Sequence, residues 1–155
     1  IWFIEDDVLI PSKNTISNID KKYIDNDYLV RENTIKENPT KNDGWAFPQI
    51  LDTTEYRGVF SIAGIMAIRV SKKMMKAIDE FVKKYKNAFF DEAFFGTVAL
   101  NYNIDITVTP ELYYMWPLQQ TLQKESKNNY KEKFLYHPVK SINQQRNIRD
   151  KFNKL

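Results

Sequence analysis

Three consecutive acidic residues, Glu5, Asp6 and Asp7, directly follow the apolar run Ile-Trp-Phe-Ile at residues 1–4. Apolar residues flank the triplet on both sides, a pattern that predicts a strand ending at the acids. Carboxylates are hard oxygen ligands suited to Mg²⁺ or Mn²⁺, and such ions usually bridge carboxylates to substrate phosphates. Because ligands of open α/β sheets bind beyond the carboxyl ends of the strands, the triplet is a candidate metal site. It is equally compatible with a solvated acidic turn.

Two later groups have side chains that could complete such a site. Glu92 lies just inside the start of a predicted helix, a position near the edge of the predicted sheet. We expect the helix dipole to favour its ionised form. His137 is the only histidine, and an imidazole can join carboxylates around Mn²⁺. The alternatives are an ordinary acidic first helical turn and a histidine that hydrogen-bonds at the surface.

Three segments resemble motifs of known glycosyltransferases. Trp-Phe-Ile-Glu-Asp-Asp-Val at residues 2–8 resembles the aspartate-x-aspartate region of GT-A glycosyltransferases. Phe-Asp-Glu-Ala-Phe-Phe-Gly-Thr at residues 90–97 resembles the Asp-Glu-x-aromatic-x-x-Thr segment of core-2-type branching glycosyltransferases and their distant relatives. Tyr-His-Pro-Val-Lys at residues 136–140 resembles a terminal element of related sequences. The three segments occur in the expected order and span the chain from end to end.

The resemblance implies a base, a set of metal ligands and an inverting sugar transfer. Glu92 takes the place of the base that removes the acceptor proton. Asp7 is the principal implied metal ligand, Glu5, Asp6 and His137 are further candidates, and Mn²⁺ or Mg²⁺ is the implied cofactor. Glu5 stands where the family pattern has an aspartate, so its longer side chain departs from that pattern. Core-2-type enzymes work without a metal, so the acidic triplet favours metal-dependent relatives.

The implied substrates are a nucleotide-diphosphate sugar donor and a glycan or other hydroxyl acceptor. Lys140 and Arg146 are candidate cations for binding the donor diphosphate. Trp45 and Trp116 offer flat apolar faces such as sugar-binding clefts use, and Gly64 would allow the acceptor to approach the backbone closely. The alternative function is that of a non-catalytic carbohydrate- or protein-binding module on the same fold.

Strands and helices mix along the chain, which predicts an α/β layered domain. Residues 59–70 are rich in β-branched and aromatic residues and are interrupted by Gly64, so they predict one or two strands. Ser71 and Asp91 are predicted N-caps of two helices, and residues 31–45 are predicted to form a long surface loop. The resemblance implies a GT-A-like mixed, mainly parallel sheet flanked by helices.

The length of 155 residues fits one catalytic-type domain over residues 1–155, or the C-terminal two-thirds of one. Those two-thirds would carry the metal, acceptor and base regions. An apolar strand at residue 1 usually needs neighbours on both sides, so we expect that an upstream βαβ segment is missing.

Composition excludes several function classes. The net charge of +3 comes from 23 basic and 20 acidic residues without a dense basic stripe, so we expect no nucleic-acid partner. No apolar run reaches the length of a membrane span. The chain has no cysteine, which excludes thiolate chemistry and fits a reducing compartment, so we expect a cytoplasmic location. Gly-rich phosphate loops and the G-x-S-x-G elbow are also missing.

Overall fold

The structure, a computed structural model, describes residues 1–44, 47–112 and 130–153 of the chain. These residues form six short strands, five α-helices and one 3-10 helix. The strands are β1 (Trp2–Ile4), β2 (Tyr28–Val30), β3 (Thr34–Lys36), β4 (Phe60–Ile62), β5 (Ala67–Val70) and β6 (Ile106–Val108). The α-helices are α1 (Thr15–Lys22), α2 (Phe47–Thr53), α3 (Lys72–Tyr85), α4 (Asp91–Asn101) and α5 (Ile142–Asn153), and the 3-10 helix is Pro110–Leu112.

Four strands form one mixed sheet in the order β1-β5-β2-β6. β5 lies between β1 and β2 and runs antiparallel to both, while β2 and β6 are parallel. The α/β class and the mixed sheet are therefore confirmed. The prediction of a mainly parallel sheet is wrong for the described strands, because the central strand β5 runs against both of its neighbours. β3 and β4 form a separate antiparallel pair.

Both faces of the mixed sheet are covered, as the alternation of side chains along β2 shows. Tyr28 and Val30 pack into the larger core cluster together with apolar residues of α3 and α4. Leu29 points to the other face, where it packs in a second cluster with Ile19 of α1. Successive side chains of a strand point to opposite faces, so one strand contributes to two cores. The prediction of a sheet flanked by helices is confirmed.

The helix α3 begins as the sequence predicts. The Ser71 side chain accepts a hydrogen bond from the Met74 backbone N–H at 3.1 Å, which makes Ser71 the N-cap. The N-cap of α4 is Phe90 rather than the predicted Asp91. Asp91 lies one residue later, inside the first turn, and its carboxylate accepts a hydrogen bond from the Glu92 backbone N–H at 3.0 Å.

The helix α4 packs closely against β4, and this contact positions Glu92. A Cβ atom added at Gly96 would lie 2.9 Å from the Cβ and 3.0 Å from the backbone oxygen of Ser61, so the two backbones approach to a distance that only glycine allows. The Thr97 hydroxyl accepts a hydrogen bond from the Ser61 backbone N–H at 3.1 Å. The Ala63 N–H donates to the Glu92 backbone oxygen at 2.8 Å. The start of α4 is thereby held next to the end of β4.

The polar segment at residues 31–45 is not only a loop, because it contains β3. Among the helices in the described ranges, none is long and apolar enough to cross a lipid bilayer.

Candidate functional site

The acidic triplet lies in a turn directly after β1, as the sequence predicts. The Glu5 backbone N–H donates to the Met66 oxygen at 2.9 Å, and the Val8 N–H closes the turn on the Glu5 oxygen at 3.2 Å. Val8 is buried in the second core cluster, so the turn is anchored at both ends. The acids are therefore presented from a fixed backbone at one end of the sheet.

A C-terminal segment is hydrogen-bonded to this turn. Leu9 and Tyr136 exchange two backbone hydrogen bonds, of 2.8 and 3.2 Å, in an isolated antiparallel bridge. The Val139 N–H donates to the Asp7 backbone oxygen at 2.8 Å. Leu9, Tyr136 and Val139 also share a buried apolar cluster with Ile148 of α5. His137 lies between these backbone contacts, so its position relative to the acids is fixed.

This pairing brings together His137, Glu5 and Asp7. The His137 Nε2 atom lies 3.1 Å from an Asp7 carboxylate oxygen and 3.2 Å from a Glu5 carboxylate oxygen. One ligand atom from each of the three residues lies within 4.8 Å of the other two. The imidazole is buried, whereas the Glu5 carboxylate is 47% exposed, so the group is open to solvent on one side.

The donor set fits a divalent cation. Two carboxylates and one neutral imidazole suit Mn²⁺ and its first-row neighbours, and the imidazole is less typical of Mg²⁺ sites. Adjacent ligands of an octahedral ion, each about 2.1 Å from the metal, lie about 3.0 Å apart. The separations of 3.1 and 3.2 Å between the His137 nitrogen and the two carboxylates are close to that value. Three protein ligands would leave further positions for substrate oxygens.

Asp6 does not join Glu5, Asp7 and His137. Its side chain is exposed, and it belongs to no ligand group among the described residues. The prediction of Asp6 as a metal ligand is therefore not supported by the geometry. Because Asp6 lies between two residues whose side chains turn towards His137, it offers a matched control for them.

Glu92 and two of the metal-ligand candidates, Glu5 and His137, line the same cavity. The cavity has a volume of about 500 Å³. Its described lining combines charged and small apolar side chains: Glu5, Arg31, Glu32, Ile62, Ala63, Gly64, Met66, Glu92 and His137. Two of the three residues of the ligand group and the predicted base thus share one space, although they come from three distant parts of the chain.

The pKa of Glu92 is raised above its usual value, contrary to the expectation from the helix dipole. Partial burial of the carboxylate is the largest cause, followed by the nearby negative charges of Asp91, Glu5 and Glu32. Burial and like charges both disfavour the ionised form of a carboxylate. A raised pKa is useful to a general base, because a stronger base accepts a proton more readily when its pKa approaches the working pH.

The predicted substrate-binding residues divide into three groups. Gly64 lines the cavity, and a Cβ atom added there would lie 3.3 Å from the Met66 methyl and 3.7 Å from a Glu32 oxygen. Lys140 and Arg146 are exposed and do not line the cavity, so the prediction of both as diphosphate ligands is not supported. Trp45 and Trp116, the other predicted acceptor contacts, lie outside the described residues.

Sequence reasoning did not identify Arg31 and Glu32, which form part of the cavity wall. The Arg31 guanidinium binds the Glu32 carboxylate at 2.9 Å, and only 16% of the Arg31 side chain is exposed. Their position in the sequence could have identified them as cavity residues, because both directly follow the buried strand β2. They were included instead in the polar segment interpreted as a surface loop.

No protein-family model, curated protein or solved structure matches this chain. The functional interpretation therefore depends on the chemistry of the cavity and on the motif resemblance.

Proposed function

We propose that the chain is a metal-dependent, inverting glycosyltransferase on a GT-A-like fold, moving a sugar from a nucleotide-diphosphate sugar to an acceptor hydroxyl. The observation that carries the proposal is the shared cavity. It places Glu5 and His137, two members of the ligand group, beside the half-buried carboxylate of Glu92. Sugar transfer needs these two functions together: a positive charge at the leaving diphosphate and a base at the attacking hydroxyl.

The ligand group would hold the cation through two oxygens and one nitrogen. Glu5 and Asp7 supply carboxylate oxygens, and the buried His137 imidazole supplies a nitrogen. A divalent cation bound there would neutralise the charge that develops on the departing diphosphate. Because the Val139 N–H donates to the Asp7 backbone oxygen, the acidic turn and the His137 segment are already held together.

Glu92 acts on the acceptor. Its ionised carboxylate removes the proton from an acceptor hydroxyl while that oxygen attacks the anomeric carbon of the donor sugar. The bond between the anomeric carbon and the diphosphate oxygen breaks, and the diphosphate leaves with the electron pair. A single displacement of this kind inverts the anomeric configuration, so inversion follows from assigning Glu92 as base.

The test is a transfer assay with a panel of nucleotide-diphosphate sugars and simple glycoside acceptors in the presence of Mn²⁺. We expect the wild type to release nucleoside diphosphate and form product. Glu92→Gln should lose about 10²-fold or more in kcat/KM, the lower end of what a positioned base contributes. Asp7→Ala should lose at least roughly tenfold, since even residues that merely support metal ligands can cost that much. Asp6→Ala is the matched control and should retain activity. Full activity of both Glu92→Gln and Asp7→Ala would contradict the proposal, and so would glycan binding without any transfer.

A further inference from the structure

Arg31 and Glu32 supply a pair of opposite hydrogen-bonding functions to the cavity wall. A guanidinium has five N–H donors and no acceptor, whereas an ionised carboxylate only accepts. One hydrogen bond joins them, from Arg31 Nη1 to Glu32 Oε1 at 2.9 Å. Most of the donor and acceptor capacity of the pair is therefore not used by this contact, and the pair lines the open space of the cavity.

Glu32 and Glu92 line the same cavity. The negative charge of Glu32 also contributes to the raised pKa of Glu92. Gly64 stands beside Glu32, since a Cβ atom there would lie 3.7 Å from a Glu32 oxygen. A group bound by Arg31 and Glu32 over Gly64 would therefore lie next to the base.

The chemistry of the pair matches neighbouring hydroxyl groups. A hydroxyl both donates and accepts, so one hydroxyl of a sugar ring can accept from Arg31 while its neighbour donates to Glu32. Hydrogen bonds with one ionised partner are shorter and stronger than neutral ones. The small apolar residues Ala63 and Gly64 leave room for the ring.

The charges of the cavity determine which sugars would fit. Glu5, Glu32 and Glu92 line it together, and Arg31 is the only arginine or lysine among the described lining residues. A bound divalent cation would offset the charge of the ligand group, and Arg31 already pairs with Glu32. An additional carboxylate on the acceptor would have to share Arg31 with Glu32 while lying close to Glu32 and Glu92, and like charges in a partly buried site repel.

We propose that Arg31 and Glu32 form the acceptor subsite, which binds two neighbouring hydroxyls of an uncharged sugar beside Glu92 and disfavours acidic sugars. This inference rests on the proposed function for the role of Glu92, but the binding of the sugar can be measured without any transfer.

The experiment measures the binding of simple methyl glycosides to the Mn²⁺-loaded full chain by isothermal titration calorimetry. The panel contains methyl glucoside, methyl galactoside and methyl mannoside, their monodeoxy analogues, and methyl glucuronide as the acidic member. We expect at least one neutral glycoside to bind, methyl glucuronide to bind roughly tenfold more weakly or worse, and Arg31→Ala and Glu32→Gln each to weaken the neutral glycoside about tenfold or more. Lys76→Ala and Glu37→Gln, both on exposed residues away from the cavity, are the matched controls and should bind as the wild type does.

Two further measurements distinguish a direct contact of Arg31 and Glu32 with the sugar from a purely structural role of these residues. Arg31→Lys keeps the charge beside Glu32 but loses the planar fork, so its affinity should fall between those of the wild type and Arg31→Ala. A deoxy analogue that lacks a contacted hydroxyl should bind the wild type and Glu32→Gln with similar affinity. Binding of Mn²⁺ should be the same in all of these variants, since neither residue belongs to the ligand group.

The proposal is overturned if both variants bind the neutral glycosides as tightly as the wild type, if methyl glucuronide binds as well as methyl glucoside, or if no glycoside of the panel binds. Failure of the proposed function gives a different pattern. In that case glycoside binding still depends on Arg31 and Glu32, but no nucleotide-diphosphate sugar is consumed.

Discussion

Glu92 combines a half-buried carboxylate with three acidic neighbours, and this combination determines when it carries a charge. Because its pKa is raised, the Glu92 carboxyl in the native state still holds its proton at a pH where the same carboxyl in the unfolded chain has released it. Across that interval stability falls as pH rises, because the native state then has to give up the proton. Keeping the Glu92 carboxylate ionised at neutral pH therefore costs stability.

We predict that the pKa of Glu92 in the metal-free protein lies above that of an ordinary glutamate and falls in Asp91→Asn. Asp91 is the largest charged contributor to the raised pKa, and an asparagine side chain can still accept the hydrogen bond from the Glu92 backbone N–H. Carbon-detected NMR titration of the side-chain carboxyl measures both values. In a thermal melt at pH 7, Glu92→Gln should be at least as stable as the wild type. A Glu92 pKa at or below the usual glutamate value would contradict this description.

The pKa of Glu111 is shifted in the opposite direction from that of Glu92, because its buried carboxylate accepts strong hydrogen bonds. Lys22 Nζ lies 2.6 Å and the Tyr23 hydroxyl 2.8 Å from its oxygens. Burial alone would raise the pKa of Glu111, but the hydrogen bonds from Lys22 and Tyr23 outweigh it and lower the pKa. The ionised Glu111 carboxylate therefore stabilises the native state at pH values above the pKa that Glu111 has in the unfolded chain. This stabilisation is lost as the pH falls through the lower pKa of Glu111 in the native state.

We predict that Glu111→Gln reduces the free energy of unfolding at pH 7 by roughly 1.5–3 kcal/mol, the usual range for hydrogen bonds to a charged group. The difference from the wild type should shrink in acid, because the wild type then also loses the charge. Urea denaturation at pH 7 and at acidic pH measures it, with the exposed Glu37→Gln as control. A loss of the same size at both pH values would show that the charge is not responsible.

At the scale of single elements, the sequence predicted the features that depend on interactions between neighbouring residues. Ser71 is the N-cap of α3 because its hydroxyl satisfies a backbone N–H that the helix leaves free, and that capacity is visible in the sequence. The interruption at Gly64 correctly separates β4 from β5. The helix α2 and the strand β3 could not be predicted in this way, because β3 is defined only by its pairing with β4, which lies more than twenty residues away.

The contact between α4 and β4 depends on Gly96. Alanine is the better helix former by about 1 kcal/mol, so propensity alone predicts that Gly96→Ala stabilises the protein. We predict the reverse, a loss of about 1–3 kcal/mol, because the added methyl group would collide with Ser61 and force α4 away from β4. Urea denaturation of the single and double variants measures the loss. Adding Ser61→Ala should recover part of it, and a Gly96→Ala protein as stable as the wild type would contradict the prediction.

At the scale of the whole molecule, the site joins parts of the chain that are far apart in sequence. Glu5 and Asp7 lie near one end of the chain and His137 near the other, and the Leu9–Tyr136 bridge joins them. The residue types indicated which side chains could bind a metal, and Glu5, Asp7 and His137 do lie together. The direction of the strands was not predictable in the same way, because nothing local states that β5 pairs antiparallel to β1 and β2.

The same limit applies to the predicted substrate-binding residues. Lys140 is only three residues from His137, yet its side chain is exposed and lies outside the cavity lining. Arg31, which does line the cavity, is far from every motif in sequence. Proximity along the chain was therefore a poor guide to proximity in the cavity, whereas the end of the buried strand β2 would have been a better one.

The central claim is that Glu5, Asp7 and His137 hold a divalent cation. The most direct measurement is the titration of the purified chain with Mn²⁺, followed by the loss of the electron paramagnetic resonance signal of the free ion. We predict that the wild type and Asp6→Asn bind Mn²⁺ with equal affinity, while Asp7→Asn and His137→Ala bind at least roughly tenfold more weakly, since even residues that merely support metal ligands can cost that much. Equal binding by Asp7→Asn and the wild type, or equal losses in Asp6→Asn and Asp7→Asn, would contradict the claim.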